Sequence, residues 1–193
     1  MNHGIIIILN GTSSSGKTSV LHALQDLLEE PYLEAGIDKF IFMLPERYLE
    51  RPLWDDVLGL AVQAGEEGHR LFSGMHHAIA ALAKNGNNVI IDHVLVEEMW
   101  IKELVDLLSE QFVWLVGVHC PLQVLLEREQ ARRNRTPGQA AAQFPLVHAN
   151  MLYDVEVNTS ILSPEQCANH IKETMLLKKH PAAFYRLKAG YKL

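Results

Sequence analysis

The chain has 193 residues, of which 48% are hydrophobic and 21% charged, and these proportions are typical of a globular protein rather than a disordered or fibrous one. Its 17 Lys and Arg against 23 Asp and Glu give a formal net charge of -6, which argues against broad binding to nucleic acid or to an anionic membrane. Because no apolar run approaches the roughly 20 residues of a membrane span and the N-terminus lacks a secretory pattern, we expect a single-domain cytoplasmic protein.

The first half of the chain alternates strand and helix patterns. A β-branched run at 5–9 predicts a strand buried on both faces, and apolar residues at helical spacing follow a Gly/Ser-rich loop. The predicted elements are a strand over 5–9, a helix over 17–29, a short strand over 32–37, short helices and loops over 39–68, and a helix over 69–84.

The second half continues the same alternation and ends in a basic, aromatic tail. The predicted elements are strands over 89–91, 112–118 and 155–157, helices over 99–108, 121–132 and 164–179, and the tail over 180–193. Strands that alternate with helices of ten or more residues indicate a parallel sheet covered on both faces. The pattern therefore predicts an α/β fold with three layers, α/β/α, around a mostly parallel five-stranded sheet.

The loop after the first strand carries the sequence GTSSSGKT, which fits the pattern G-x-x-x-x-G-K-[ST]. Small residues let successive backbone N–H groups turn inward around phosphate oxygens, and the next helix points its positive end at the same anion. The Lys can reach the β- and γ-phosphates, and the last hydroxyl can ligate Mg²⁺. We therefore predict that ATP and Mg²⁺ bind to Gly11, Thr12, Ser13, Ser14, Ser15, Gly16, Lys17 and Thr18.

Two aspartates follow predicted strands, at the edge of a parallel sheet where ligands bind. Asp92 can hold Mg²⁺ opposite Thr18, or it can cap a turn or helix. Asp38 can accept the proton of a substrate hydroxyl as it attacks phosphorus, or it can cap the segment that begins at Lys39. Spacing alone leaves both interpretations of Asp38 open, and it does not say whether His93 is a site residue or a packed ring.

Three arginines, Arg128, Arg132 and Arg135, lie at i, i+4 and i+7 on one face of a predicted helix. Because an unpaired buried charge is costly, this stripe is either a solvated face paired with Glu127 and Glu129 or the lining of a lid that closes over ATP. The phosphate loop in the same chain favours the lid. We then expect Arg132 and Arg135 to stabilise the transferring phosphoryl group and Arg128 to bind the nucleotide.

Five stretches together resemble the chloramphenicol 3-O-phosphotransferase family of P-loop kinases. They are ILNGTSSSGKTS at 8–19, GIDKFIFMLP at 36–45, VIIDHV at 89–94, WLVGVHCPLQVLLEREQARRNR at 114–135 and VHANMLYDVEVNTS at 147–160. The phosphate loop alone indicates only a very large superfamily, whereas its combination with GID-x-F-x-x-MLP is far more specific. The resemblance implies one domain over 1–193 with the P-loop NTPase fold of nucleotide and shikimate kinases, a lid at about 128–140 and an acceptor-binding region at about 38–68.

The resemblance also implies a reaction, the ATP-dependent transfer of phosphate to the hydroxyl of a small-molecule alcohol such as chloramphenicol. In that family the aspartate of the GID stretch is the catalytic base, which here is Asp38. By the same likeness Lys17 and Thr18 serve ATP·Mg²⁺, and Arg132 and Arg135 belong to the lid. Antibiotic resistance would follow if chloramphenicol is the acceptor.

Because of two departures from the family pattern, the resemblance says less about the acceptor than about the fold or the nucleotide site. His93 stands where the family has a second aspartate after Asp92, and no matching motif lies in 46–68. Another acceptor is an alternative, and if it is a sugar acid, a shikimate-like compound or a nucleotide, Lys39, Arg47 and Arg51 could bind its charge.

The sequence also leaves two other functions and the role of the C-terminal tail to be considered. A nucleotide-binding regulatory module without turnover would also use the phosphate loop, whereas a polynucleotide kinase is disfavoured by the acidic balance. We expect no nucleic-acid or membrane partner. The tail over 180–193 could pack on the domain, form a contact in a homo-oligomer, or fray.

Overall fold

A computed structural model of the protein describes residues 3–46, 65–131 and 138–190. Every strand pair in its single sheet is parallel, and the strand order is β2-β3-β1-β4-β5. The strands are β1 (Ile5–Asn10), β2 (Tyr32–Glu34), β3 (Asn88–His93), β4 (Phe112–His119) and β5 (Val155–Asn158). The predicted five-stranded parallel sheet is therefore confirmed.

Helices cover both faces of this sheet. They are α1 (Lys17–Leu27), α2 (Ile37–Ile41), α3 (Gly65–Lys84), α4 (Glu98–Leu108), α5 (Leu122–Ala131), α6 (Gln139–Gln143), α7 (Pro164–Lys178) and α8 (Ala183–Gly190). Side chains of β1 alternate between two hydrophobic cores, with Ile6 and Ile8 in the core that includes α3, α4 and α8, and Ile7 and Leu9 in the core that includes α1 and α7. The three-layer architecture is confirmed.

The second strand is shorter than its sequence predicts. It ends at Glu34 rather than at 37, and Asp38 is the second residue of α2 instead of the residue that ends a strand. Gly36 explains the difference, because a Cβ at this position would lie 1.7 Å from Oδ1 of Asp92. The missing side chain lets the chain leave the sheet beside the end of β3, so that α2 begins next to Asp92.

The tail packs on the domain through α8, which is one of the outcomes that the sequence left open. The buried Asp154 accepts hydrogen bonds from the N–H groups of Ala182 (2.7 Å) and Ala183 (2.9 Å), while its second oxygen accepts from the N–H of Leu115 (3.0 Å). Phe184 and Leu187 are buried in the core. A frayed end is therefore wrong for 183–190. In the ranges that the structure describes, no helix is long and apolar enough to cross a bilayer.

Candidate active site

The phosphate loop connects β1 to α1 at the carboxyl edge of the sheet. Gly16 precedes α1 with a φ of 85°, in the left-handed region that favours glycine. Lys17 is buried, and its ammonium group donates to the carbonyl oxygens of Gly11 (2.8 Å) and Thr12 (2.7 Å). The loop thus holds the lysine charge over its own backbone, where the pattern predicts phosphate binding.

Three hydroxyls of this loop lack a partner in the part of the protein that the structure describes. The Oγ atoms of Ser13, Ser14 and Ser15 are buried, and none has a hydrogen-bond partner among the described residues. A buried polar group without a partner costs about 1–3 kcal/mol, so such groups are usually paired by the protein or by a ligand. Hydroxyl donors beside a lysine ammonium suit the oxygens of a phosphate.

The two residues predicted to bind metal meet at the edge of the loop. The Thr18 hydroxyl donates to Oδ2 of Asp92 at 2.9 Å, which joins α1 to β3. Over the described ranges no group of three or more His, Cys, Asp or Glu could hold a metal ion. Mg²⁺ commonly takes one or two protein oxygens and fills its other positions with water and phosphate. One hydroxyl and one carboxylate therefore fit Mg²⁺ bound together with a nucleotide.

One cleft brings the predicted catalytic groups together. It encloses about 450 Å³, counting the part open to solvent, and its walls come from the phosphate loop, α1, α2, β3 and α6. Asp38, Lys17, Thr18 and Asp92 all line this phosphate cleft. The structure thus places the proposed base, lysine and metal ligands around one volume, although their roles stay predictions.

Helix α6 adds two glutamines that the sequence analysis missed. Gln139 and Gln143 are buried and line the phosphate cleft, and Oε1 of Gln143 accepts from the N–H of Ser13 at 2.7 Å. Their i, i+4 spacing would place them on one helix face. A segment of five residues is too short to show a helical period, so the sequence does not reveal which of its side chains share a face.

Of the three predicted lid arginines, Arg128 lies in the described part of the chain, whereas Arg132 and Arg135 lie outside it. The guanidinium of Arg128 donates to Oγ1 (3.1 Å) and to the carbonyl oxygen (2.8 Å) of Thr159, whose hydroxyl donates to the carbonyl of Ser15 (2.7 Å). Arg128 is therefore connected to the phosphate loop through Thr159. The lid itself stays a prediction.

His93 is a packed ring rather than a residue of the phosphate cleft. Its neighbour Asp92 faces α1, whereas the ring of His93 lies on the other face of the sheet against Phe72 and Trp100. The N–H of Val94 donates to Nδ1 of His93 (2.8 Å), so the other ring nitrogen, Nε2, carries the proton. This settles the choice that the sequence left open.

Three side chains and one backbone group form a chain of hydrogen bonds that we call the histidine relay: Glu103, His76, His93 and the N–H of Val94. Nε2 of His93 donates to Nε2 of His76 (3.0 Å), and Nδ1 of His76 donates to Oε2 of Glu103 (2.5 Å). Ser73 donates to the other carboxylate oxygen of Glu103 (2.6 Å). Burial lowers the pKa of His76, and burial followed by the nearby His76 lowers the pKa of His93 well below its usual value.

A second polar cluster supports the strand that precedes the phosphate loop. Asn10 donates to the hydroxyl of Tyr153 (2.8 Å), and this hydroxyl is also hydrogen-bonded to Nδ1 of His148 (2.7 Å). The ring of His148 packs on that of His119 with centroids 4.0 Å apart. Burial, and then the proximity of His119 and Lys17, lowers the pKa of His148 to about 4. This cluster therefore holds a neutral histidine at neutral pH.

Known proteins resemble this chain along nearly its whole length. The sequence model of the chloramphenicol phosphotransferase-like proteins matches residues 4–176. Two proteins of Mycobacterium tuberculosis, from strains CDC 1551 / Oshkosh and ATCC 25618 / H37Rv and provisionally named O-phosphotransferases, are each 35% identical over 204 residues. Each alignment covers 99% of this chain and 91% of the relative.

Solved structures show the same fold at low sequence identity. The APS kinase CysC of Mycobacterium tuberculosis, solved with AMPPNP and APS, has a TM-score of 0.68 at 15% identity and covers 91% of this chain and 99% of its own. Shikimate kinase from Acinetobacter baumannii, solved with shikimate, has a TM-score of 0.54 at 16% identity and covers 92% and 95%. The fold is that of the P-loop kinases.

Proposed function

Because the chain belongs to the family of chloramphenicol phosphotransferase-like proteins, we propose that it is an ATP-dependent O-phosphotransferase. It transfers the γ-phosphate of ATP to the hydroxyl of a small-molecule alcohol, and we propose chloramphenicol or a similar neutral alcohol as the acceptor. The names of the Mycobacterium tuberculosis relatives support phosphate transfer to oxygen.

One observation carries this proposal, namely that Asp38 lines the same cleft as the phosphate loop, Lys17, Thr18 and Asp92. A module that only bound nucleotide would need the loop but no carboxylate facing it from α2. The five-residue helix α2, and the glycine that lets it start beside Asp92, place Asp38 there. A carboxylate in that position suits the removal of a proton from an attacking hydroxyl.

In the proposed reaction, the γ-phosphoryl group moves from ATP to the acceptor oxygen, and the hydroxyl proton moves to Asp38. The acceptor hydroxyl lies between Asp38 and the γ-phosphate, and its proton passes to a carboxylate oxygen of Asp38. The acceptor oxygen forms a bond to the γ-phosphorus as the bond between that phosphorus and the β–γ bridging oxygen breaks, and ADP keeps the electron pair. The Lys17 ammonium offsets charge on the transferred group. Mg²⁺, held by Thr18 and Asp92, supplies further positive charge at the phosphates when bound.

The charges described around the cleft favour a neutral acceptor. Lys39, which could have bound an acidic acceptor, pairs with Glu34 at 3.0 Å and is not among the residues that line the cleft. Lys17 is the cationic side chain that the described ranges contribute to the lining. Arg47 and Arg51 lie outside the described residues, as does most of the acceptor-binding region predicted at 38–68.

The experiment is to incubate purified protein with ATP, Mg²⁺ and chloramphenicol, and to follow ADP formation together with the mass of the drug. We expect phosphorylated drug. The Asp38→Asn variant should lower turnover about 10²-fold or more and leave ATP binding nearly unchanged. Asp26→Asn, a change at an exposed aspartate of α1, is the matched control.

The other outcomes each change a different part of the proposal. Full turnover of Asp38→Asn would remove Asp38 from the mechanism. If the drug is not modified but a screen of other alcohols gives acceptor-dependent ADP, the proposed acceptor is wrong and the reaction stands. If ATP binds and no alcohol stimulates its turnover, the protein is a nucleotide-binding module instead.

A further inference from the structure

Hydrogen bonds at both ends of helix α6 hold it beside the phosphate cleft. At its start, the buried carboxylate of Glu129 on α5 accepts from the N–H groups of Gly138 (2.8 Å) and Ala140 (2.9 Å). At its end, Oε1 of Gln143 accepts from the N–H of Ser13 (2.7 Å). These three bonds hold α6 in place relative to the loop.

Gln139 is presented to the cleft by this fixed helix. Its side chain is only 5% exposed, it lines the cleft with Asp38 and Asp92, and its Oε1 is buried without a hydrogen-bond partner among the described residues. A buried amide oxygen is an obligatory acceptor, because leaving it unpaired costs free energy. Because this atom belongs to a residue that lines the cleft, a molecule bound there can supply its partner.

The chemistry of that partner is restricted. Oε1 needs an O–H or N–H donor, and the phosphate oxygens of ATP at neutral pH accept hydrogen bonds rather than donate them. The carboxylates of Asp38 and Asp92, which also line the cleft, are acceptors as well when ionised. The acceptor molecule, which would bind beside Asp38, can supply such a donor.

We propose that Gln139 is a specificity-determining residue whose Oε1 accepts a hydrogen bond from a second O–H or N–H of the acceptor, besides the hydroxyl that is phosphorylated. This inference rests on the proposed function and narrows it, because the acceptor class becomes neutral molecules with at least two hydrogen-bond donors, such as diols and hydroxy amides. A simple mono-alcohol would leave Oε1 unpaired.

The test combines one variant with three probes. The probes are chloramphenicol, its analogue without the benzylic hydroxyl, and its N-methyl amide, so that each analogue lacks one donor. Gln139→Met keeps the length of the side chain and removes its polar atoms. We expect it to lower kcat/KM for chloramphenicol about three- to tenfold, mainly through KM of the drug, with KM for ATP unchanged. Gln123→Met, at an exposed glutamine of α5, is the control.

The deciding result is the pattern across the probes. For the wild-type protein, kcat/KM should be lower for one analogue than for chloramphenicol, by a similar factor. With that analogue, Gln139→Met should not lower kcat/KM any further. Equal losses on all three probes, a raised KM for ATP, or no effect on chloramphenicol would overturn the inference while the proposed function stands. A wild-type protein that phosphorylates none of the probes would overturn the proposed acceptor class and this inference with it.

Discussion

The phosphate cleft and the histidine relay begin at two consecutive residues of β3 and differ in how their polar groups are paired. Asp92 faces α1 and the cleft, whereas His93 faces α3 and α4 and starts the relay. In the relay, both nitrogens of each ring and both oxygens of Glu103 have partners. Around the cleft, three serine hydroxyls and Oε1 of Gln139 have none among the described residues.

This difference separates a structural polar cluster from one that binds a ligand. Buried polar groups are nearly always paired, so groups that the protein itself satisfies need no ligand, whereas several unsatisfied groups around one cleft indicate a ligand site. In the part of the chain that the structure describes, three other buried atoms also lack partners, in His69, Trp100 and Gln111, so a single unpaired atom does not mark a site. The cleft is distinguished by several such atoms on one loop and the helix that faces it.

The largest expected effect comes from Lys17→Ala. Removing the ammonium should lower turnover about 10²–10³-fold, because its charge acts on the transferred phosphoryl group, and it should also weaken ATP binding. The free energy of unfolding should change little, because the loss of two hydrogen bonds to loop carbonyls is offset by the removal of a buried charge. Coupled-assay kinetics, isothermal titration with ATP and urea unfolding give the three values.

Lys84→Ala, at an exposed lysine in the last turn of α3, is the matched control for the lost charge. If Lys17→Ala kept full turnover, the assignment of the loop as a phosphate site would fail. If it unfolded at a markedly lower urea concentration, Lys17 would contribute to stability as the relay does. The distinction between the cleft and the relay would then fail.

His76→Leu, in contrast, should lower the free energy of unfolding and leave the phosphate site intact. It leaves Nε2 of His93 unpaired in full burial and removes one partner of Glu103, so we expect a loss of about 2–3 kcal/mol in the free energy of unfolding. ATP binding at temperatures where the protein stays folded should be nearly unchanged. Urea unfolding and calorimetric titration measure the two quantities.

For this variant the control is His77→Leu, since His77 is the next residue of α3 and is exposed. An unchanged urea midpoint in His76→Leu would show that the relay contributes nothing to stability. Loss of ATP binding in the folded variant would mean instead that the relay positions Asp92, and the two regions would be coupled rather than separate.

The smallest effect concerns pH and the cluster around His148. Burial and its charged neighbours lower the pKa of this histidine to about 4, against about 6.5 in the unfolded chain. Between these values the unfolded state binds more protons, so the effect on stability is absent above about pH 6.5, and a destabilising penalty grows as the pH drops towards 4. His148→Gln should therefore lessen the decline of unfolding free energy from pH 7 to pH 5, as measured by urea unfolding.

His170→Gln, at an exposed histidine of α7, serves as the reference for that series. Equal slopes for wild type and His148→Gln would contradict the lowered pKa. Such a result would leave the buried histidines of the relay as the source of any acid destabilisation.

Regular periodicity made most of the fold predictable from the sequence. The β-branched runs and long amphipathic helices predict five strands and the main helices, and the loop pattern predicts the phosphate site. Short elements escape this reasoning, because helices such as α2 and α6 span only five residues and show no period. The early end of β2 depends on the contact of Gly36 with Asp92, which is distant in sequence.

The candidate site divides in the same way. Lys17, Thr18, Asp38 and Asp92 carry local patterns, and the structure finds all four in one cleft. Gln139 has no local pattern, and its significance depends on the position of α6 relative to the loop. His76, the side chain that hydrogen-bonds to His93, lies 17 residues before it on α3, so the place of His93 in the relay required the structure.

The hydrogen bonds between Asp154 and the start of α8 show which residues at the end of the chain belong to the fold. The family model matches residues up to 176, inside α7, whereas the alignments with the Mycobacterium tuberculosis relatives cover 99% of the chain, and the residues beyond 176 supply Phe184 and Leu187 to the core. A chain cut at 176 would expose the apolar surface that α8 covers and leave Oδ1 of Asp154 without the N–H groups of Ala182 and Ala183. The residues that the family model matches and the residues that complete the hydrophobic core therefore end at two different positions in this chain, and the second is the later one.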